Sequence, residues 1–170
     1  MKSINSEKSI FSLKFAVALI ATILVTFFVS KHFVTLSVIN GPSMLPTFES
    51  GDVVLVNKLA ADYERFDVVI IEMPNEKLIK RVVALPGETV QIKDGYIYIN
   101  GKKLDDVVSE KTSFAGTAFY PLTLAEDEYF VLGDNRENST DSRYEEVGAI
   151  TADQLYGRVI ISIIPPKQIK

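Results

Sequence analysis

Few side chains in this sequence can do covalent chemistry at neutral pH, and the absences narrow the choice. The chain has no cysteine and one histidine, His32. Thiol catalysis, disulfides and cysteine-ligated metals are therefore excluded, and one imidazole does not make a histidine-built zinc site. No Gly-rich phosphate loop is present, so neither a metal nor a cofactor is expected. A serine, Ser43, lies in Gly41-Pro42-Ser43-Met44-Leu45-Pro46, where glycine and two prolines break regular structure. It is either a turn residue or a nucleophile. As a nucleophile it needs a base. His32 precedes it by eleven positions at the edge of an apolar run, the wrong place for a Ser-His-Asp triad.

That leaves a carboxylate, which is a weak base, or a lysine, which must be neutral to act. A solvated lysine titrates near ~10.4, so well under ~0.1% is neutral at pH 7. Burial in an apolar site can lower that value by ~3–5 pH units. Lys102, Lys103, Lys111, Lys167 and Lys170 sit in polar or terminal stretches. Lys80 lies within Leu78-Ile79-Lys80-Arg81-Val82-Val83, and on a strand it shares a face with Leu78, Val82 and Ala84. Arg81 cannot serve as a base, because guanidinium stays protonated, but its charge beside Lys80 is expected to push the amine toward neutrality. On strand position alone, Lys80 also reads as a solvated edge lysine that blunts aggregation.

A third segment, Gly133 to Arg143, reads GDNRENSTDSR. Asp141 and Arg143 match in charge and are two apart, suited to a bidentate pair that closes the loop. Ser139 offers a hydroxyl that can orient an amine.

The elements that must position these groups are mostly short strands. They are expected at Asp52–Val56, Asp67–Ile71, Leu78–Leu85, Thr89–Ile92, Tyr96–Ile99, Tyr129–Leu132 and Arg158–Ile164. Asp94-Gly95 is a hairpin signal and Asn100-Gly101 marks the next turn. Thr151 is placed to cap one helical turn, Ala152 to Tyr156. The pattern predicts an all-β, compact, partly open barrel-like domain. Ahead of it, Phe15 to Ser30 carries no charge and is bracketed by Lys14 and Lys31. A cleavable leader would show small residues at a cleavage site, and Val29-Ser30-Lys31-His32 does not. An uncleaved transmembrane helix is expected over 15–34, extended by flanking apolar residues and snorkelling lysines. Lys2, Lys8 and Lys14 precede it, which puts residues 1–14 in the cytoplasm and 35–170 on the outer face of the plasma membrane. The net charge of −4 argues against nucleic acid as a partner.

Taken together, Gly41 through Thr47 with Gly51-Asp52, Lys80-Arg81-Val82 through Pro86-Gly87-Glu88, and Gly133-Asp134-Asn135-Arg136 through Arg143 resemble the type I signal peptidases. These are membrane-bound serine proteases that cut leader peptides from exported proteins. The order of the segments and the preceding span match over nearly the whole chain, and the size is similar to the short Gram-positive type. The resemblance implies Ser43 as nucleophile, Lys80 as general base and Ser139 as the serine that holds the lysine. It also implies Asp141 and Arg143 as a brace, structural roles for Asp134 and Arg136, and a fold akin to the self-cleaving domains of SOS-response repressors. Some relatives carry a serine at the position of Gly41 as an oxyanion donor. Here the oxyanion is expected to rely on the Ser43 N–H and the Gly41 amide.

The function expected is a Ser/Lys serine endopeptidase that forms an acyl-enzyme, with exported preproteins and the lipid bilayer as partners. Small residues at the first and third positions before the cut follow from the resemblance alone. A catalytically silent assembly factor or chaperone should have lost the serine or lysine, and both are present. A non-enzymatic β-barrel binding module would leave all three segments as coincidence. A specialised peptidase for pilin-like or conjugation substrates would carry the same residues as a general one.

Overall fold

A computed structural model describes residues 2–167, with side chains from Leu13 onward apart from that of Ser30. Met1, residues 168–170 of the expected outer domain, and the side chains of Lys2 and Lys8 lie outside this description. The chain opens with α1 (Lys2–His32). It continues through β1 (Val34–Val38), β2 (Val53–Asn57), β3 (Val68–Glu72) and β4 (Lys77–Ala84). The hairpin strands β5 (Thr89–Lys93), β6 (Tyr96–Ile99) and β7 (Lys102–Lys103) follow. Next come β8 (Leu122–Thr123), β9 (Glu128–Leu132) and β10 (Ile150–Thr151), and then β11 (Leu155–Ile164) and β12 (Pro166–Lys167).

The larger sheet runs β1-β2-β11-β3-β4-β9-β10, with β12 on β11, and the smaller runs β7-β6-β5-β8. Pairing is antiparallel throughout. The larger sheet ends at β1 and β10, which do not pair, so the expected all-β, partly open architecture is what the chain adopts. Asp94-Gly95 and Asn100-Gly101 each place two successive residues at positive φ, the turn geometry that suits the right-handed twist of the strands they join.

Two strands start one residue later than expected. Asp52 and Asp67 lie just outside β2 and β3 because their carboxylates accept the backbone N–H of Glu49 and Glu64, closing the turns before each strand. The helical turn is shorter, a 3₁₀ segment Ala152–Gln154, because Leu155 is already in β11. α1 ends at His32, and Val34 begins a strand absent from the sequence expectation.

In α1, large apolar side chains from Leu13 to Val29 are exposed around the helix. Among the described residues no helix is long and apolar enough to cross a membrane.

Three apolar clusters form the core, and β4 contributes to each. Ile79 packs with Met44, Phe48 and Val56, while Val82 packs with Val69 and Val131. Val83 and Ala84 both join the cluster under the smaller sheet. Adjacent residues share a cluster there because a bulge between Val82 and Ala84 shifts the register against β9. β4 is therefore immobilised along its length, which fixes whatever its polar residues carry.

Candidate active site

Ser43 sits on the turn that follows β1. Its neighbour Met44 and the nearby Phe48 are fully buried, and the Phe48 N–H donates to Met44 O at 2.9 Å. The turn is thus pinned by two buried apolar side chains that follow the serine, while the serine faces a cleft. Lys80, on β4, is 3% exposed. Its Nζ donates to Ser43 Oγ at 2.9 Å, across 37 positions of sequence. Burial depresses the lysine's pKa, and the Arg143 guanidinium acts in the same direction; Asp141, Glu76 and Asp134 oppose them without reversing the net shift.

The sequence expectation names Arg81 as the cation beside Lys80, and the structure adds Arg143 as a guanidinium that lowers the amine's pKa. Strand alternation turns Arg81 to the other face, where Nε and Nη2 grip Asp134 at 2.8 and 2.6 Å and Nη1 donates to Phe66 O. Asp134 also accepts Thr47 Oγ1 at 2.5 Å, so one buried carboxylate joins β4 to the nucleophile turn.

Asp141 and Arg143 form a fork, with Nε–Oδ1 at 2.8 Å and Nη2–Oδ2 at 2.9 Å. Asp141 Oδ2 also accepts the Gly133 N–H, and Arg143 Nη1 reaches Thr112 Oγ1. Arg136 does not pair with Asp134. Its guanidinium forks onto Asp106 and its Nε donates to Gly133 O at 3.0 Å. Both polar groups of the Gly133 backbone are therefore taken by the loop that follows. This glycine allows a close approach, since a Cβ there would lie 2.1 Å from Ser139 Oγ and 2.5 Å from Ser43 O.

Two expectations are corrected by this geometry. Ser139 is 7% exposed and lies beside Gly133, but its Oγ has no hydrogen-bond partner among the described residues, the lysine's bond going to Ser43 instead. The Gly41 amide is not free for an oxyanion, because it donates to Ser50 Oγ at 3.3 Å.

Residues that sequence reasoning did not single out complete the arrangement. Thr112 and Asp106 come from the loop before β8 and brace Arg143 and Arg136. Asn135 donates from its backbone N–H to Ser43 O at 3.0 Å and from Nδ2 to Pro42 O at 3.1 Å. Its position directly after Gly133-Asp134 was the one available signal.

Two clefts meet at Ser43 and Lys80. One, about 410 Å³, lies between Ser37–Asn40 and Glu76–Lys80. The other, about 650 Å³, is lined by Met73, Asn75, Glu76, Thr140 and Glu146 among others. A buried amine with a depressed pKa, bonded to a hydroxyl at the junction of two clefts, can in its neutral form take that hydroxyl's proton as it attacks a carbonyl.

The family described as signal peptidase, peptidase S26, matches residues 12–164. Signal peptidase I of Bacillus amyloliquefaciens is 33% identical over 180 residues, covering 99% of this chain and 96% of that protein. Signal peptidase I S of Bacillus subtilis (strain 168) is 32% identical over 169 residues, covering 92% and 91%. A solved signal peptidase I from Enterococcus faecalis V583 shares 34% identity over 57% of this chain and 96% of its own, with a TM-score of 0.49.

Proposed function

The chain belongs to the peptidase S26 family of signal peptidases, and from that premise we propose that it removes N-terminal signal peptides from exported preproteins by a Ser43/Lys80 acyl-enzyme mechanism. The observation that carries the reading is the 2.9 Å contact between Ser43 Oγ and a buried Lys80 whose pKa is depressed. Neutral Lys80 takes the Ser43 proton as Oγ attacks the scissile carbonyl. The resulting oxyanion faces the Ser43 N–H. As the C–N bond breaks, Lys80 passes its proton to the leaving amine and an ester to Ser43 remains. Lys80 then takes a proton from the water that attacks the ester and returns it to Ser43 Oγ as the new carboxyl end leaves.

The substrate enters as a strand. β4 pairs with β3 from Lys77 to Arg81 but with β9 only from Arg81 onward, so among the described residues its Lys77–Lys80 stretch has one edge unpaired. β1 pairs with β2 alone. The narrower cleft lies between these two edges, an arrangement suited to adding an extended peptide.

We place the anchor in α1: its described apolar stretch falls short of a membrane span alone, and the flanking apolar residues with snorkelling lysines bring it to one, with the N-terminus in the cytoplasm and the catalytic domain outside. Phe15 to Ser30 and its lysine flanks support this. So does an exposed apolar strip just beyond the helix, where Leu36 and Val38 of β1 continue through Val53 to Ile164 of β11.

The test is cleavage of a purified preprotein by the full-length protein in detergent micelles. Ser43→Ala should keep its melting temperature and lose turnover; full turnover by that variant would remove Ser43 as nucleophile.

A further inference from the structure

We propose that Asn135 is a positioning residue for the oxyanion, aiming the Ser43 N–H into the cleft. This rests on the reading of Ser43 as nucleophile. The Pro42–Ser43 peptide is trans, and in a planar trans peptide the C=O and N–H point in opposite directions. Whatever holds Pro42 O therefore sets the direction of the Ser43 N–H. Pro42 O accepts two donors, the Leu45 N–H at 3.1 Å within the turn and Asn135 Nδ2 at 3.1 Å from outside it. The Asn135 N–H holds the other side of the serine, at Ser43 O. The Ser43 N–H itself donates to nothing among the described residues.

Two features make that aim matter. The Gly41 position has no side chain to donate, and its amide is already committed to Ser50. The Ser43 N–H is the nucleophile's own backbone donor and is left available to a developing negative charge, and oxyanion stabilisation depends on donors fixed in advance. Asn135 is itself rigidly held. It follows Gly133 and Asp134, whose polar groups are taken by Arg136, Asp141, Arg81 and Thr47. Asn135 thus links the braced loop to the nucleophile without touching the reacting atoms.

Asn135→Asp is nearly isosteric and keeps the backbone bond to Ser43 O, but it sets a carboxylate against Pro42 O. It should lower kcat for a peptide substrate by about 10–100-fold, short of the ~10²–10³-fold lost when a donor is removed outright. KM should change by less than about twofold, since binding of the ground state does not use this donor. A peptide aldehyde, which forms a tetrahedral adduct on Ser43, should lose affinity by the same factor as kcat. A reduced-amide peptide with no scissile carbonyl should bind as before, and the pH midpoint of activity should not move. Asn135→Ala should follow the same pattern and stands in if the aspartate variant does not fold. Unchanged kcat and aldehyde affinity would overturn the proposal. So would a parallel loss of reduced-amide binding and melting temperature, the mark of a merely structural residue. Ser43→Ala, run alongside, separates the two levels: activity there removes the underlying reading, whereas an inactive Ser43→Ala with a normal Asn135→Asp overturns only the role of Asn135.

Discussion

On one face of β4, Lys80 is buried with a hydrogen bond to a neutral hydroxyl. On the other, its neighbour Arg81 is buried with a bidentate carboxylate and a backbone carbonyl. Both side chains are almost fully removed from water, so both carry the cost of burying a cation. At Arg81 that cost is offset by Asp134. At Lys80 no carboxylate among the described residues is bonded to the amine, and the depressed pKa shows the alternative, which is to favour the neutral form. The same pairing logic repeats at Arg143 and Arg136, each forked onto an aspartate. The site therefore contrasts a saturated ionic frame with one amine left short of counter-charge. The residue types match the roles, because guanidinium suits the frame and only an amine can lose its proton.

The largest break in this contrast is Lys80→Arg. It keeps charge and approximate length but cannot accept a proton, so kcat/KM for a peptide should fall at least ~10³-fold, as far as in Lys80→Ala. A rate near wild type would make Lys80 a paired cation like Arg81.

Asp141→Asn attacks the frame. It leaves Arg143 buried without its counter-charge, and unfolding free energy in a denaturant titration should drop by about 3–5 kcal/mol. Because Asp141 is the leading influence holding the lysine protonated, the rising limb of the pH–rate profile should also move to lower pH. An unchanged denaturation midpoint would deny the loop its bracing role.

In the wild type, activity should climb with pH through the lysine's lowered pKa and level off before ~10.4, the ordinary lysine value. The sign for stability is the same. A lysine with a depressed folded pKa is protonated more readily in the unfolded chain. It contributes no penalty above the unfolded pKa, a growing one as pH falls between the two values, and the full penalty below the folded pKa. A rate profile with its midpoint still near ~10.4 would mean a solvated amine.

Glu76→Gln is the smallest change. Glu76 is an exposed carboxylate that also favours protonated Lys80. Its loss should lower the pH midpoint by less than Asp141→Asn does, with no change in melting temperature. A midpoint that rises instead would contradict the electrostatics drawn here.

Much of this contrast was legible in the amino-acid sequence, and the parts that were not share a cause. Turn chemistry at Asp94-Gly95 and Asn100-Gly101 is local, so those hairpins were placed correctly. The apolar company of Lys80 and the two-residue spacing of Asp141 and Arg143 are local as well. β1 escaped notice because Val34–Val38 directly follows the apolar run, and two apolar signals merged. The pairs Arg81–Asp134, Arg136–Asp106 and Arg143–Thr112, and the bonds from Asn135 to Pro42 and Ser43, join residues 30 to 93 positions apart. A single sequence carries no period or spacing for such contacts. The amide of Gly41 was misjudged for the same reason, since Ser50 meets it only after the chain has turned back.

The slot between β1 and the free stretch of β4 has a consequence for timing. Its walls are strand edges, and the Lys77–Lys80 side is only about 13 Å long. A helix or a hairpin has already spent its backbone donors and acceptors, and neither is one chain thick. On the proposed function, a passenger whose cleavage region has already folded must wait until roughly four residues unravel. Cutting would then compete with the folding of the newly exported chain, and two preproteins with the same cleavage sequence would be processed at different speeds according to how soon that stretch acquires structure.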